Sequence, residues 1–203
     1  MLDRMVLAAS KPLLDKLARV LVRAGVGADT VTLVGFGVGI GAAIAIALQA
    51  YLVGLALLLA SRLADGLDGA VARATTPTDR GAFLDITLDF LFYASVPLAF
   101  ALADPSGNAL AAAVLLVAFI GTGSSFLAFA ILAERRGLPS EVPHKGFFYL
   151  GGLAEGTETI LCFALMCLWP AHFNGWAYGF AVLCALTIAT RIAGGARALS
   201  RRV

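Results

Sequence analysis

The stretch ADGLDGAVARATTPTDRGAFLDITLDF, residues 64–90, sets four aspartates, Asp65, Asp68, Asp85 and Asp89, at helical spacing inside apolar sequence, with Asp79 in the loop between them. Asp65, Asp68, Gly69 and Ala72 recur at spacings of three, four and seven, which places them on one face of a helix. Arg73 stands beside that face. Thr76-Pro77 ends the helix, because a residue before proline is pushed out of the helical region. Gly81, Asp85 and Asp89 repeat every fourth residue and form a second stripe on the next helix. The loop is short, so the helices run antiparallel and the two acidic stripes are predicted to face each other.

The surrounding sequence belongs in lipid. Of 203 residues, 60% are hydrophobic and 14% charged, a composition that excludes a soluble globular domain. Val31 to Ser61 and Ala109 to Ala133 contain no Asp, Glu, Lys, Arg or His, and each exceeds the roughly 20 residues that cross a bilayer as a helix. Apolar windows and breakers predict an all-α integral membrane protein of one domain, residues 1–203, with six spans at about 30–49, 51–73, 81–103, 108–133, 147–169 and 175–196. The breaks are Gln49 to Gly54, Thr75-Thr76-Pro77, Asp104 to Asn108, the polar run Glu134 to Lys145, and Trp169 to Gly175.

Residues 1–25 carry Arg4, Lys11, Lys16, Arg19 and Arg23 among apolar positions, so they read neither as a cleavable signal nor as a span. Val6, Ala9, Leu13, Leu17, Val20 and Leu21 recur at helical spacing, the pattern of an amphipathic helix lying on the membrane surface. The other basic residues are Arg62, Arg73 and Arg80 around the second connection, Arg135, Arg136 and Lys145 around the fourth, and Arg191, Arg197, Arg201 and Arg202 toward the C-terminus. The three opposite loops have none, so both termini and the acidic stretch are expected on the cytoplasmic side. Cys162, Cys167 and Cys184 lack metal-ligand spacing and read as small buried hydrophobes. Gly35, Gly37, Gly39 and Gly41, and later Gly121 and Gly123, read as helix-packing positions.

A rise of roughly 1.5 Å per residue puts Asp65 about 12 Å beyond Arg73, and Asp89 about 12 Å beyond Gly81, below the headgroups yet within reach of water. Carboxylates this close repel one another and lose hydration, so they need a partner. Two divalent cations, Mg²⁺ or Mn²⁺, would balance four negative charges and leave coordination places for phosphate oxygens. Gly66 and Gly69 would let a diphosphate approach the helix backbone, where Arg73 meets its charge. The alternatives are ion pairs with Arg62, Arg73 and Arg80, and a cation pathway; the latter finds no repeated halves and no pair of interrupted helices to support it.

Asp65, Asp68-Gly69, Ala72-Arg73, Gly81, Asp85 and Asp89 resemble the signature of the CDP-alcohol phosphatidyltransferase family, with eight fixed residues over 25 positions all present. The spacer from Arg73 to Gly81, seven residues, is one shorter than usual. The resemblance implies displacement of CMP from a CDP-linked substrate by a hydroxyl, with two metals held by Asp65, Asp68 and Asp85. It implies that Asp89 also coordinates and acts as general base. It further implies that Gly69, Ala72, Arg73 and Gly81, with Asp65, bind the CDP moiety in a homodimer of the inner membrane. Asp29 and Thr32 stand where relatives carry a Pro-Asn and a Thr near the nucleotide, although Asp29 reads equally as a helix cap.

The acceptor is less defined. Glu155 and Glu158, three apart on the expected fifth span, read as an acceptor pocket or as partners of Arg191 or Lys145. Lys145 and Arg191 could hold a phosphate on the acceptor, but carboxylates at Glu155 and Glu158 would repel it, which favours a small polar acceptor without one. The expected donor is CDP-diacylglycerol, with a CDP-amino alcohol acting on diacylglycerol as the alternative. Membrane lipid is the expected environment, and no nucleic-acid partner is expected. His144 and His172 read as solvated loop residues.

Overall fold

The apolar windows become helices, and their ends follow local chemistry. A computed structural model describes residues 2–136 and 154–200, and every regular element among them is helical: α1 (Leu2–Arg23), α2 (Ala28–Ala47), α3 (Tyr51–Ala74), α4 (Asp79–Ala103), α5 (Pro105–Arg135), α6 (Gly156–Leu168) and α7 (Phe173–Ser200). A 3₁₀ turn, Pro170–His172, precedes α7.

α1 closes with Gly25 at φ 76°, where the Val26 N–H donates to Leu21 O and the Gly25 N–H to Val22 O, the paired bonds of a left-handed helix cap. α2 closes the same way with Gln49 at φ 63°. The Gln49 amide donates to Ala103 O at 2.9 Å, which ties that turn to the end of α4. Thr78 caps α4, its hydroxyl accepting from the Gly81 N–H at 3.0 Å, so Asp79, expected in the loop, occupies the first helical turn. There its charge opposes the positive end of the helix dipole. The expected break at Asp104 to Asn108 shrinks to one residue, because Asp104 caps α5 and Pro105 fits its first position.

Neighbouring helices run in a ring, α2–α3–α6–α7–α5–α4 and back to α2, with α1 outside on α3 and α6. Among the described residues, α2, α4, α5 and the segment Pro170–Ser200 are long and apolar enough to cross a membrane. α3 has 24 residues but carries Arg62, Asp65, Asp68 and Arg73. α6 has 13 residues, about 20 Å at ~1.5 Å each; residues 147–153 of the expected fifth span lie outside the described residues.

The apolar row of α1 read as facing the membrane is not the row that meets protein. Leu14 and Ala18 are buried against Ala70 and Val71 of α3, while Leu13, Leu17 and Val20 remain exposed. The adjoining row faces protein because Gly66 opens a seat for Leu14, whose Cδ1 would lie 3.2 Å from a Cβ at that position. Gly66 therefore receives α1 and does not face the carboxylates, contrary to the expectation that it admits a diphosphate. The side chains of Val6 and Ala9 lie outside the described ones.

Small residues set the spacing of the ring. A Cβ at Gly39 would stand 2.6 Å from the Phe92 ring and 2.8 Å from Ser61 Oγ. Gly35 meets Ala64 as closely, Gly121 meets Ile188 and Gly123 meets Phe90, whereas Gly37 faces open space and Gly41 makes an ordinary contact with Leu57. The core continues through Phe100, stacked on Phe173 at 4.6 Å, and the three cysteines are buried and unbridged. Overpacking such a contact costs about 1–3 kcal/mol. Gly39→Leu is therefore expected to lower the thermal unfolding temperature in detergent, followed by tryptophan fluorescence, while Gly37→Leu leaves it in place. Equal melting of the two variants would contradict the packing account.

Candidate active site

Three helices, and not two, build the acidic pocket. It is lined by Thr32, Gly35 and Phe36 of α2, by Ser61, Arg62, Asp65 and Asp68 of α3, and by Asp85, Leu88 and Asp89 of α4. α2 packs against both α3 and α4, whose own backbones hardly approach one another, so the hairpin is splayed and the two acidic stripes look onto a shared cleft. The Ser61 hydroxyl donates to Gly35 O at 2.8 Å and fixes α2 against α3 at the base of the pocket.

Asp65, Asp68 and Asp85 each bring one carboxylate oxygen to a common point, all within 4.8 Å of one another. Oxygens that share one hard cation at about 2.0–2.6 Å can stand no more than about 5 Å apart, and this set meets that limit. Asp68 is 5% exposed and its Oδ2 is enclosed without a hydrogen-bond partner among the described residues. A buried carboxylate oxygen with no donor is the kind of group a cation completes, so these residues fit a divalent ion.

Asp89, read as the fourth member, lines the same pocket beside Asp65 but lies outside that point. Its Oδ1 accepts from Arg62 Nη1 at 2.6 Å, and the same nitrogen lies 3.5 Å from Asp65 Oδ1. Arg62, which the sequence offered only as an ion-pair alternative, lines the pocket itself. Grouped with the basic residues of a helix end, it is the twelfth residue of α3, in mid-helix, and points into the pocket. The available signal was its position three before Asp65, on the same helical face. The ion-pair alternative is thus realised in part, by an arginine inside the stripe; the other two arginines go elsewhere. Arg80 pairs with Asp29 at 3.3 Å. The Arg73 guanidinium lies over the bare face of Gly69, where an added Cβ would meet Nη1 at 3.2 Å.

The nucleotide candidates lie at the start of α2 (Asp29, Thr32), toward the end of α3 (Gly69, Ala72, Arg73) and in the first turn of α4 (Gly81). Asp29 does not cap α2, whose cap position is Gly27; it lies in the first turn, and its Oδ1 would stand 3.2 Å from a Cβ at Gly81. Thr32 lines the pocket one helical turn on, its hydroxyl donating to Ala28 O at 3.1 Å. Ala72 follows Asp68 and Gly69 on α3, half-buried.

The acceptor candidates form a separate group. Glu155 is the cap residue of α6 and Glu158 lies in its first turn, so both sit at the start of the described helix, where its dipole favours acids. Glu158 Oε2 is buried without a hydrogen-bond partner among the described residues. Arg191 is buried in α7, donates to Thr122 O at 3.1 Å, and stands 5.8 Å from the Phe126 ring. Ala154 N–H donates to Thr187 Oγ1 at 3.0 Å, which joins the α6 start to α7. Lys145 and His144 lie outside the described residues; His172 is exposed in the 3₁₀ turn, as expected.

Residues 26–190 match the CDP-alcohol phosphatidyltransferase family. Inner membrane protein YnjF of Escherichia coli is 55% identical over 196 residues, covering 96% of this chain and 95% of that protein. Archaetidylinositol phosphate synthases match over shorter stretches: that of Pyrococcus horikoshii is 32% identical over 90 residues, 44% of this chain and 48% of its own. That of Methanothermobacter thermautotrophicus is 44% identical over 70 residues, 34% of this chain and 36% of its own. Among solved structures, phosphatidylinositol phosphate synthase of Mycobacterium tuberculosis with CDP-DAG bound superposes with a TM-score of 0.73 at 22% identity, covering 91% of this chain and 94% of that one. The same enzyme with manganese and citrate gives 0.70 at 23%, covering 90% and 88%. At these identities the solved structures show a shared fold. The family match spans most of the chain and takes in every aspartate of the pocket, and the chain belongs to the CDP-alcohol phosphatidyltransferase family.

Proposed function

We propose that this protein transfers a phosphatidyl group from CDP-diacylglycerol to the hydroxyl of a small polar acceptor and releases CMP. The observation that carries the reading is the convergence of Asp65, Asp68 and Asp85 at one point of a family fold. Two divalent cations, Mg²⁺ or Mn²⁺, bound by Asp65, Asp68, Asp85 and Asp89 would neutralise the diphosphate oxygens and the charge growing on CMP as it leaves. Arg73, laid along Gly69, adds a fixed positive charge at the CDP end. Gly69, Ala72 and Gly81 keep the helix faces bare for the nucleotide, with Asp65, Asp29 and Thr32 as polar contacts. Asp89 removes the hydroxyl proton as the acceptor oxygen bonds to phosphorus and the phosphorus–oxygen bond to CMP breaks. The donor choice agrees with the CDP-DAG bound to the Mycobacterium enzyme of the same fold.

In this reading α3 and the segment containing α6 complete six spans, α3 being tolerated in lipid because its charges face the pocket. The protein is multi-pass in an inner membrane, both termini and the pocket cytoplasmic, and forms a homodimer. Glu155 and Glu158 hold acceptor hydroxyls or an amine. Their carboxylates would repel a phosphate, which favours an acceptor without one. A second reading, an acceptor that carries phosphate, is favoured by the matches to archaetidylinositol phosphate synthases.

The test is CMP release by purified protein with CDP-diacylglycerol, Mn²⁺ and a panel of free polyols, amino alcohols and sugar or polyol phosphates. We expect release that requires both metal and an acceptor, with the phosphate-free members as the substrates. Release only from a CDP-amino alcohol with diacylglycerol would reverse the partners. No CMP from any pair, together with metal-independent ion flux in liposomes, would overturn the enzyme reading.

A further inference from the structure

Three of the four pocket carboxylates converge and the fourth does not, and the side chain between them is Arg62. Its Nη1 lies 2.6 Å from Asp89 Oδ1 and 3.5 Å from Asp65 Oδ1, and its Nη2 lies 3.3 Å from Ser61 Oγ. Its Cζ stands 3.9 Å above the Phe92 ring, within the range of a cation–π contact. Phe92 is fully buried and wedged against Gly39, and Ser61 is fully buried and tied to Gly35, so the platform beneath the guanidinium belongs to the packed core. The Arg62 side chain is only 13% exposed. Arginine keeps its charge at any physiological pH, and this pocket holds it by stacking as well as by ion pairing.

The consequence concerns metal loading. A cation shared by Asp65 and Asp89 has to occupy space beside the oxygens that Arg62 Nη1 now contacts, and like charges at that distance repel. The Asp65–Asp68–Asp85 point meets the guanidinium only through Asp65, 3.5 Å from Nη1 against 2.6 Å at Asp89. We propose that Arg62 is the resident counter-cation of this site: the first divalent ion goes to Asp65, Asp68 and Asp85, and a second is admitted only as the guanidinium releases Asp89. Arg62 is then a positioning residue, which holds Asp89 apart from the metal cluster until the second ion arrives. The inference rests on the two-ion reading given above.

Calorimetric titration of the purified protein in detergent with Mn²⁺ alone tests it. Wild type is expected to bind two ions in separate steps, or one within the accessible range. Arg62→Met is expected to tighten the second step by about tenfold or more and to leave the first unchanged, while Arg62→Lys, which keeps the charge, stays close to wild type. Arg62→Gln, uncharged yet able to donate to Asp89, replaces Arg62→Met should that variant not fold. A second step unchanged or weakened in the uncharged variant overturns the inference and leaves the two-ion reading standing. One ion and no more in both wild type and the uncharged variant overturns the two-ion reading, and the inference with it.

Discussion

Asp68→Asn lowers CMP release by about a thousandfold or more, and Mn²⁺ uptake at the three-carboxylate point falls with it. Metal ions at a phosphoryl centre contribute several kcal/mol of charge stabilisation, and each ~1.4 kcal/mol is a factor of ten in rate. Asp68 is the member least able to be replaced. It is the buried one, at 5% exposure, and its Oδ2 makes no hydrogen bond among the described residues. An asparagine of the same shape keeps one oxygen but loses the charge and places an amide N–H₂ where a cation has to sit. Calorimetry with Mn²⁺ and CMP release measured on the same sample check both halves. Chelation of wild type should reproduce the loss, and added Mn²⁺ should reverse it for wild type alone. Full activity in the variant, or wild-type activity in chelator, would remove the metal from the mechanism.

Asp89→Asn should separate proton transfer from metal binding. A positioned general base contributes about 10²–10⁴-fold, so turnover falls by that range. The first Mn²⁺ step should survive, because the three oxygens that converge within 4.8 Å belong to Asp65, Asp68 and Asp85. The isosteric amide also preserves the size of the group beside Arg62, so folding is retained. Turnover and the first binding step are measured together. If the first step vanished along with turnover, Asp89 would be a ligand of the same ion as the other three, and the separate role assigned to it would fail.

The helices themselves were legible because their signals are local. Thr78 and Asp104 cap the helices that follow them, and Gly25 ends α1, through bonds that reach only three to five residues. Expected spans at 51–73 and 81–103 became Tyr51–Ala74 and Asp79–Ala103 for that reason. The acidic stripes were legible too, since spacing alone assigns residues to one face of a helix.

What spacing cannot reveal is which neighbour a face meets. Arg62 reads from the sequence as one of three arginines that could pair with the aspartates, and only the structure selects it and seats it in mid-helix against Asp65 and Asp89. Gly66 reads like Gly69 as a bare approach to the backbone, yet it receives Leu14 of α1. Gly39 and Gly37 read alike as well, and only Gly39 touches another helix. The sequence by itself determined most of the described helices, the two rows of carboxylates and the family to which they belong. The tertiary structure alone decided that α2 wedges the α3–α4 hairpin open, that three carboxylates converge, and that the fourth is held by an arginine. The physical reason is that a helix's own bonds set its length and faces, whereas its rotation toward its neighbours is set by contacts such as Gly35 with Ala64 and Gly39 with Phe92, made by residues far apart in the chain.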